Sequence, residues 1–228
     1  MSYTPQTLAD IVGQPRLGVF RQWAKAPDAR CWLFAGKKGT GKTATADCLA
    51  NDLGADVTDE CGAELTLTNV RDLARLCQCR PMFGKWRILH ISEMEKLDSR
   101  VEAFIKDWLE ERSIPPHLIV IATTNLEVDP NASEAHLAFL ERFTRVDFGS
   151  SKVLADAMRP KLEALWNAAT AGAPLPPGMT RIGWNTDKTA YSARLALRQL
   201  RDAIMLWQAE QADRAEAAGL RILTDEAA

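Results

Sequence analysis

An eight-residue segment, Gly36-Lys37-Lys38-Gly39-Thr40-Gly41-Lys42-Thr43, constrains this chain more than any other. It fits the pattern G-x-x-x-x-G-K-[ST], and its flanks give the pattern meaning. Before it, Cys31-Trp32-Leu33-Phe34-Ala35 reads as a buried strand; after it, Ala46, Leu49, Ala50 and Leu53 recur at helical spacing up to a stop at Gly54. In such a strand-to-helix turn the glycines let backbone N–H groups curl around phosphate oxygens, and the helix presents its positive end to them. Lys42 is then placed to reach the β and γ phosphates of ATP, and the Thr43 hydroxyl to ligate Mg²⁺.

The surrounding pattern predicts more strands of the same kind. Thr68 is expected to cap a helix carrying Val70, Leu73, Ala74 and Cys77 on one face, and Arg87-Ile88-Leu89-His90-Ile91 reads as a second strand. Asp98 then caps a helix marked by Val101, Phe104, Ile105, Trp108 and Leu109, with Trp108 the clearest core tryptophan. His117-Leu118-Ile119-Val120-Ile121-Ala122 is a third run, too uniformly apolar to have a wet face. Strands alternating with helices imply an α/β fold, a parallel sheet with helices on both faces. Strand signals stop near Gly149-Ser150, and helical stretches over 152–171 and 192–214 flank the proline-rich segment 173–178. The expected organisation is a nucleotide-binding domain over 1–149 and a small all-α domain over 150–228.

Composition removes several functions. No stretch of about eighteen apolar residues is present and the start resembles no secretory signal, so a cytoplasmic protein with no membrane partner is expected. Cys31, Cys48, Cys61, Cys77 and Cys79 lack the paired spacing of a zinc or redox site and read as buried or half-buried thiols. A net charge of −2 predicts no global attraction to nucleic acid, so any DNA contact must be local.

The chain resembles the sliding-clamp-loader clade of AAA+ ATPases, the group of the replication factor C small subunit and the bacterial gamma/tau subunit. Tyr3-x-Pro5-x-Thr7-Leu8-x-Asp10-Ile11-Val12-Gly13-Gln14 looks like the family's adenine-side segment, with Ile11 and Val12 as apolar walls for the base. Ser92-Glu93-Met94-Glu95 aligns with its Asp-Glu-x-Asp motif, which makes Glu93 the residue that polarises the attacking water. Ser92 stands where the family has the aspartate that steadies Mg²⁺. A neutral hydroxyl gives a metal far less field than a carboxylate, so ATP binding with poor hydrolysis is an open alternative. Asn125, after Thr123-Thr124, resembles sensor 1; Arg142 falls where the family carries an arginine finger for a neighbouring subunit, with a surface ion pair as the other reading. Arg194, or Arg201 in a different register, resembles the sensor 2 arginine of a helical lid. Lys37 and Lys38 replace prolines common in the family's phosphate loop.

The resemblance implies an AAA+ base followed by a lid, acting in an oligomer that uses ATP to load a sliding clamp onto primer-template DNA. Met82 and Phe83 fall in a region that faces the clamp in that clade, and are expected either to plug a clamp pocket or to pack on their own sheet. The family's third, collar domain would begin about where this sequence ends. A hydrolysis-poor scaffold and another DNA-handling motor, such as a helicase loader, are the alternative functions.

Overall fold

A computed structural model describes residues 4–14, 16–110, 114–125, 133–185 and 189–225. It divides the chain into two compact units, one spanning Thr4–Ser150 and the other beginning at Ser151. The first holds a five-stranded sheet of order β2-β3-β4-β1-β5, with every pairing parallel. Its strands are β1 (Arg30–Gly36), β2 (Asp56–Cys61), β3 (Arg87–Ser92), β4 (Leu118–Thr124) and β5 (Thr144–Phe148). The helices are α1 (Leu17–Ala24), α2 (Lys42–Leu53), α3 (Leu67–Gln78), α4 (Ser99–Trp108) and α5 (Glu134–Leu140).

The period-2 alternation of the strands feeds two cores, one on each face of the sheet. Leu33, Leu89, Ile91, Val120 and Ala122 point to the face covered by Val70, Leu73 and Cys77 of α3, Val101 and Ile105 of α4, and Phe139 of α5. Trp32, Phe34, Ile88, Ile119 and Ile121 point to the opposite face, against Leu17 and Phe20 of α1 and Ala46, Cys48 and Leu49 of α2. Three strands therefore carry apolar residues on both sides, which is why β1, β3 and β4 stand out in the sequence. β2 and β5 are edge strands with alternating or partial exposure, so their apolar content is diluted and no strand signal precedes them.

Local chemistry sets the helix ends. Thr66, not Thr68, caps α3: its side chain accepts from the Asn69 N–H at 3.3 Å, and Thr68 lies within the first turn. The Asp98 carboxylate caps α4, accepting from the Arg100 N–H at 2.8 Å. Trp108 is only partly buried, whereas Trp32 and Trp166 are the fully buried tryptophans. Among the cysteines Cys79 is exposed, contrary to expectation; burial pushes the Cys31 thiol up to about 12 and Cys77 up to about 11, which leaves both unreactive.

The second unit is all-α. It contains α6 (Lys152–Thr170) and α7 (Ala193–Asp225), packed through Trp166 and Trp207 at 6.5 Å. α7 runs beyond the expected end near residue 214. Among the described residues no helix is long and apolar enough to cross a membrane.

Candidate functional site

In open parallel sheets a ligand crevice forms outside the carboxyl ends of the strands, where the chain order reverses. Here β1 lies between β4 and β5, and the loop after it, residues 36–41, opens at that edge. Two of its glycines are needed for different reasons. A Cβ on Gly36 would sit 2.3 Å from the Phe148 carbonyl oxygen, while Gly41 meets no neighbour but has φ 101° as the N-cap of α2. The Thr40 hydroxyl closes the turn onto the Lys37 carbonyl at 2.9 Å. Gln14 braces it from outside: its Nε2 donates to the Thr40 and Gly149 carbonyls at 3.0 Å each, and the Gly149 N–H donates to its Oε1 at 2.9 Å.

Lys42 is 7% exposed, and its ammonium is held by the Gly36 carbonyl at 2.6 Å, the Lys37 carbonyl at 2.9 Å and Asn125 Oδ1 at 3.1 Å. The last contact follows from strand register. Ala35 of β1 pairs with Thr124 of β4, so the residue leaving β4 arrives beside the phosphate loop. Lys37, Lys38 and Thr43 are exposed around this crevice. A buried ammonium that donates to backbone and amide carbonyls, beside the first turn of a helix, is an arrangement fitted to exchange such contacts for phosphate oxygens.

The second group of predicted residues lies at the end of β3. Ser92 shares the parity of Ile88 and so faces the α2 side of the sheet; its Oγ donates to the Glu60 carbonyl at 3.1 Å. Glu93 has φ 51°, in the left-handed region, and its carboxylate pairs with Lys96 at 2.5 Å. Glu95 turns instead to Asn125, accepting from its Nδ2 at 3.0 Å and from its backbone N–H at 3.3 Å. Burial acts to raise the Glu95 carboxyl, but its own backbone N–H, the Thr124 hydroxyl and Asn125 outweigh that and hold it below the usual carboxylate range. Glu95 and Gln14 are the residues whose part in this geometry the sequence reading did not assign.

The other expected site residues have surroundings of their own. Ile11 is buried in the core with Leu17 and Phe20, Val12 is half-buried, and Tyr3 lies outside the described residues. Arg142 contacts Lys106 and Glu110 at the end of α4, its Nε donating to the Lys106 carbonyl at 3.5 Å and its Nη2 standing 3.8 Å from Glu110. In the second unit Arg194 and Arg201 are exposed on α7, Arg194 in its first turn.

Residues 32–149, just over half of the chain, match the ATPase family associated with various cellular activities (AAA). The chain belongs to this AAA ATPase family. Curated relatives include the replication factor C small subunits of Haloarcula marismortui, 28% identical over 49% of this chain and 37% of the relative, and of Staphylothermus marinus, 28% identical over 53% and 39%. The chain thus matches less than two-fifths of the length of these relatives. Among solved structures, the Thermotoga maritima RuvB Holliday junction branch migration motor superposes with a TM-score of 0.62 at 20% identity, covering 90% of this chain and 67% of that one. At that identity the likeness establishes the AAA+ fold, a parallel sheet with flanking helices and an all-α unit after it.

Proposed function

We propose that this AAA protein binds and hydrolyses ATP as one subunit of a clamp-loader-like oligomer, acting with other subunits on a sliding clamp and primer-template DNA. One observation carries the nucleotide part of this reading: Lys42 and Asn125, 83 residues apart in sequence, meet at the mouth of the phosphate loop. Gly36, Gly39 and Gly41 shape the backbone cradle, with Lys37, Lys38 and Thr40 completing it, while Lys42 binds the β and γ phosphates. Mg²⁺, when bound, would supply neutralising charge for the transferring phosphoryl group; Thr43 would help to hold it through its hydroxyl, with the Ser92 hydroxyl as a second, neutral contact. Glu93 orients the attacking water once it leaves Lys96, and Asn125 holds it against the γ-phosphate. Val12, half-buried, suits a wall for the base better than Ile11, which the core has taken. Arg194, with Arg201 as the alternative, serves as sensor 2.

Arg142 acts in trans in this reading, as a finger on a neighbouring subunit's nucleotide, and its side-chain contacts with Glu110 and Lys106 hold it ready. Steady-state hydrolysis, measured with and without primed DNA, clamp and partner subunits, tests the proposal. In the assembled oligomer Arg142→Ala is expected to lower turnover by about a hundredfold or more while leaving ATP binding intact. Unchanged turnover removes the finger assignment.

The clamp part rests on Met82 and Phe83, 85% and 78% exposed, which do not pack on their own sheet. Their loop is anchored on both sides: His117 Nε2 lies 3.0 Å from the Cys79 carbonyl, and a Cβ on Gly84 would come within 2.4 Å of the Gly54 carbonyl. An anchored loop displaying two large apolar side chains suits a hydrophobic pocket on a partner. Phe83→Ala is expected to weaken clamp binding by at least about tenfold without changing the thermal midpoint. Retained clamp affinity in a folded variant would falsify the assignment.

A second reading has its own support. Ser92 in place of a carboxylate, together with Glu93 held by Lys96, suits a nucleotide-gated scaffold that binds ATP and hardly turns it over. Tight binding with no turnover under any combination of partners selects that reading.

A further inference from the structure

A short turn, Met94–Lys96, follows β3 and carries two carboxylates on either side of buried Met94. They diverge: Glu93 pairs with Lys96 at the surface, while Glu95 turns inward to Asn125. The polarity of the inward contact is fixed at both ends. An ionised carboxylate only accepts and an ammonium only donates, so the Asn125 amide must present Nδ2 to Glu95 and Oδ1 to Lys42, at 3.0 and 3.1 Å. The Asn125 backbone N–H donates to the same carboxylate, at 3.3 Å to Oε1 and 3.4 Å to Oε2, so Glu95 grips both the side chain and the main chain of this residue.

The two tethers of the amide differ in permanence. Lys42 is the group that the proposed function commits to phosphate, so its bond to Oδ1 is given up or shared on nucleotide binding. Glu95 faces no such competition. The terminal torsion of an asparagine is broad and nearly two-fold, and an amide restrained at one end only samples both orientations. The geometry points to Glu95 as the positioning residue for Asn125: it fixes the amide so that Oδ1 remains aimed at the phosphate end of the crevice when Lys42 is engaged. This inference rests on the reading of the crevice as an ATP site, but the restraint on Asn125 exists without nucleotide.

The test has two arms. In the nucleotide-free protein the Asn125 carboxamide signal, identified in ¹⁵N–¹H spectra by its loss in Asn125→Ala, is expected to show two well-separated, slowly exchanging protons. In Glu95→Ala those protons should collapse toward ordinary solvent-exposed positions, and Glu95→Gln, which keeps an acceptor, should lie between. In steady-state turnover Glu95→Ala is expected to lower kcat by about tenfold with KM within about threefold, and to cause no further loss in an Asn125→Ala background. Equal losses with and without Asn125, or carboxamide protons indifferent to Glu95, overturn the inference. Should the parent protein turn over no ATP, the hydrolysis reading fails and the nucleotide-free spectra still decide the role of Glu95. Glu95→Gln serves both arms if Glu95→Ala does not fold.

Discussion

Lys42→Ala is expected to weaken ATP binding by about a hundredfold or more and to reduce turnover to background, while the nucleotide-free protein stays folded. The ammonium is already out of water, held by two backbone carbonyls and Asn125 Oδ1 at 2.6 to 3.1 Å, so it binds phosphate without first being ordered. Charge-assisted hydrogen bonds contribute about 1.5–3 kcal/mol each, and every 1.4 kcal/mol is about a tenfold change in affinity, so losing one or two of them gives the stated factor. Stability without nucleotide should change little, because removing a buried cation also removes its desolvation cost. The clearest measurement is the rise in thermal midpoint with ATP. A ligand at about one hundred times its Kd stabilises by about 2.7 kcal/mol, and the variant should show almost none of this at the same concentration. Lys42→Arg should not rescue, since a planar guanidinium cannot make the same compact contacts inside the loop. An undiminished ATP-induced shift in Lys42→Ala would place the nucleotide elsewhere.

Ser92→Asp should move activity in the opposite direction. Ser92 ends β3 on the face where α2, the helix that carries Thr43, packs, and its neutral Oγ is occupied in a 3.1 Å bond to the Glu60 carbonyl. A carboxylate at a few ångströms from a divalent cation gains several kcal/mol at an effective dielectric of about 20, part of which is lost to its own desolvation. A retained gain of about 1.4 kcal/mol lowers the Mg²⁺ concentration for half-maximal turnover about tenfold, and kcat should rise with it. The lost bond to Glu60 costs about 1 kcal/mol and should appear as a small drop in the thermal midpoint of the metal-free protein. If neither Mg²⁺ dependence nor kcat responds, slow turnover has a different origin, and the Lys96 grip on Glu93 becomes the next substitution to test.

Part of this site is written locally. The phosphate loop, the strand before it and the helix after it occupy one contiguous segment, and each obeys short-range rules: glycine where φ is positive, apolar residues where both faces are buried, a periodic face on α2. β3 and β4 are legible for the same reason, being central strands covered by helices on both sides. Thr66 rather than Thr68 as the cap of α3 shows the limit of such reading, because two threonines that close in sequence offer similar hydroxyls and only the backbone geometry chooses.

What the sequence determined by itself is therefore a glycine-rich strand-turn-helix in a parallel sheet, with helices alone following it, since those features depend on neighbours along the chain. Tertiary structure decided the rest. The edge strands β2 and β5 form because β3 and β1 offer them unpaired backbone, with only part of their own side-chain surface buried. Ile11 goes to the core, and Met82 and Phe83 go to the surface, although all three are large apolar residues. Glu95 meets Asn125, and Asn125 meets Lys42, only because parallel register brings the ends of β1, β3 and β4 to one edge. Contacts across 30 and 83 residues are fixed by strand order and register, which no local pattern encodes.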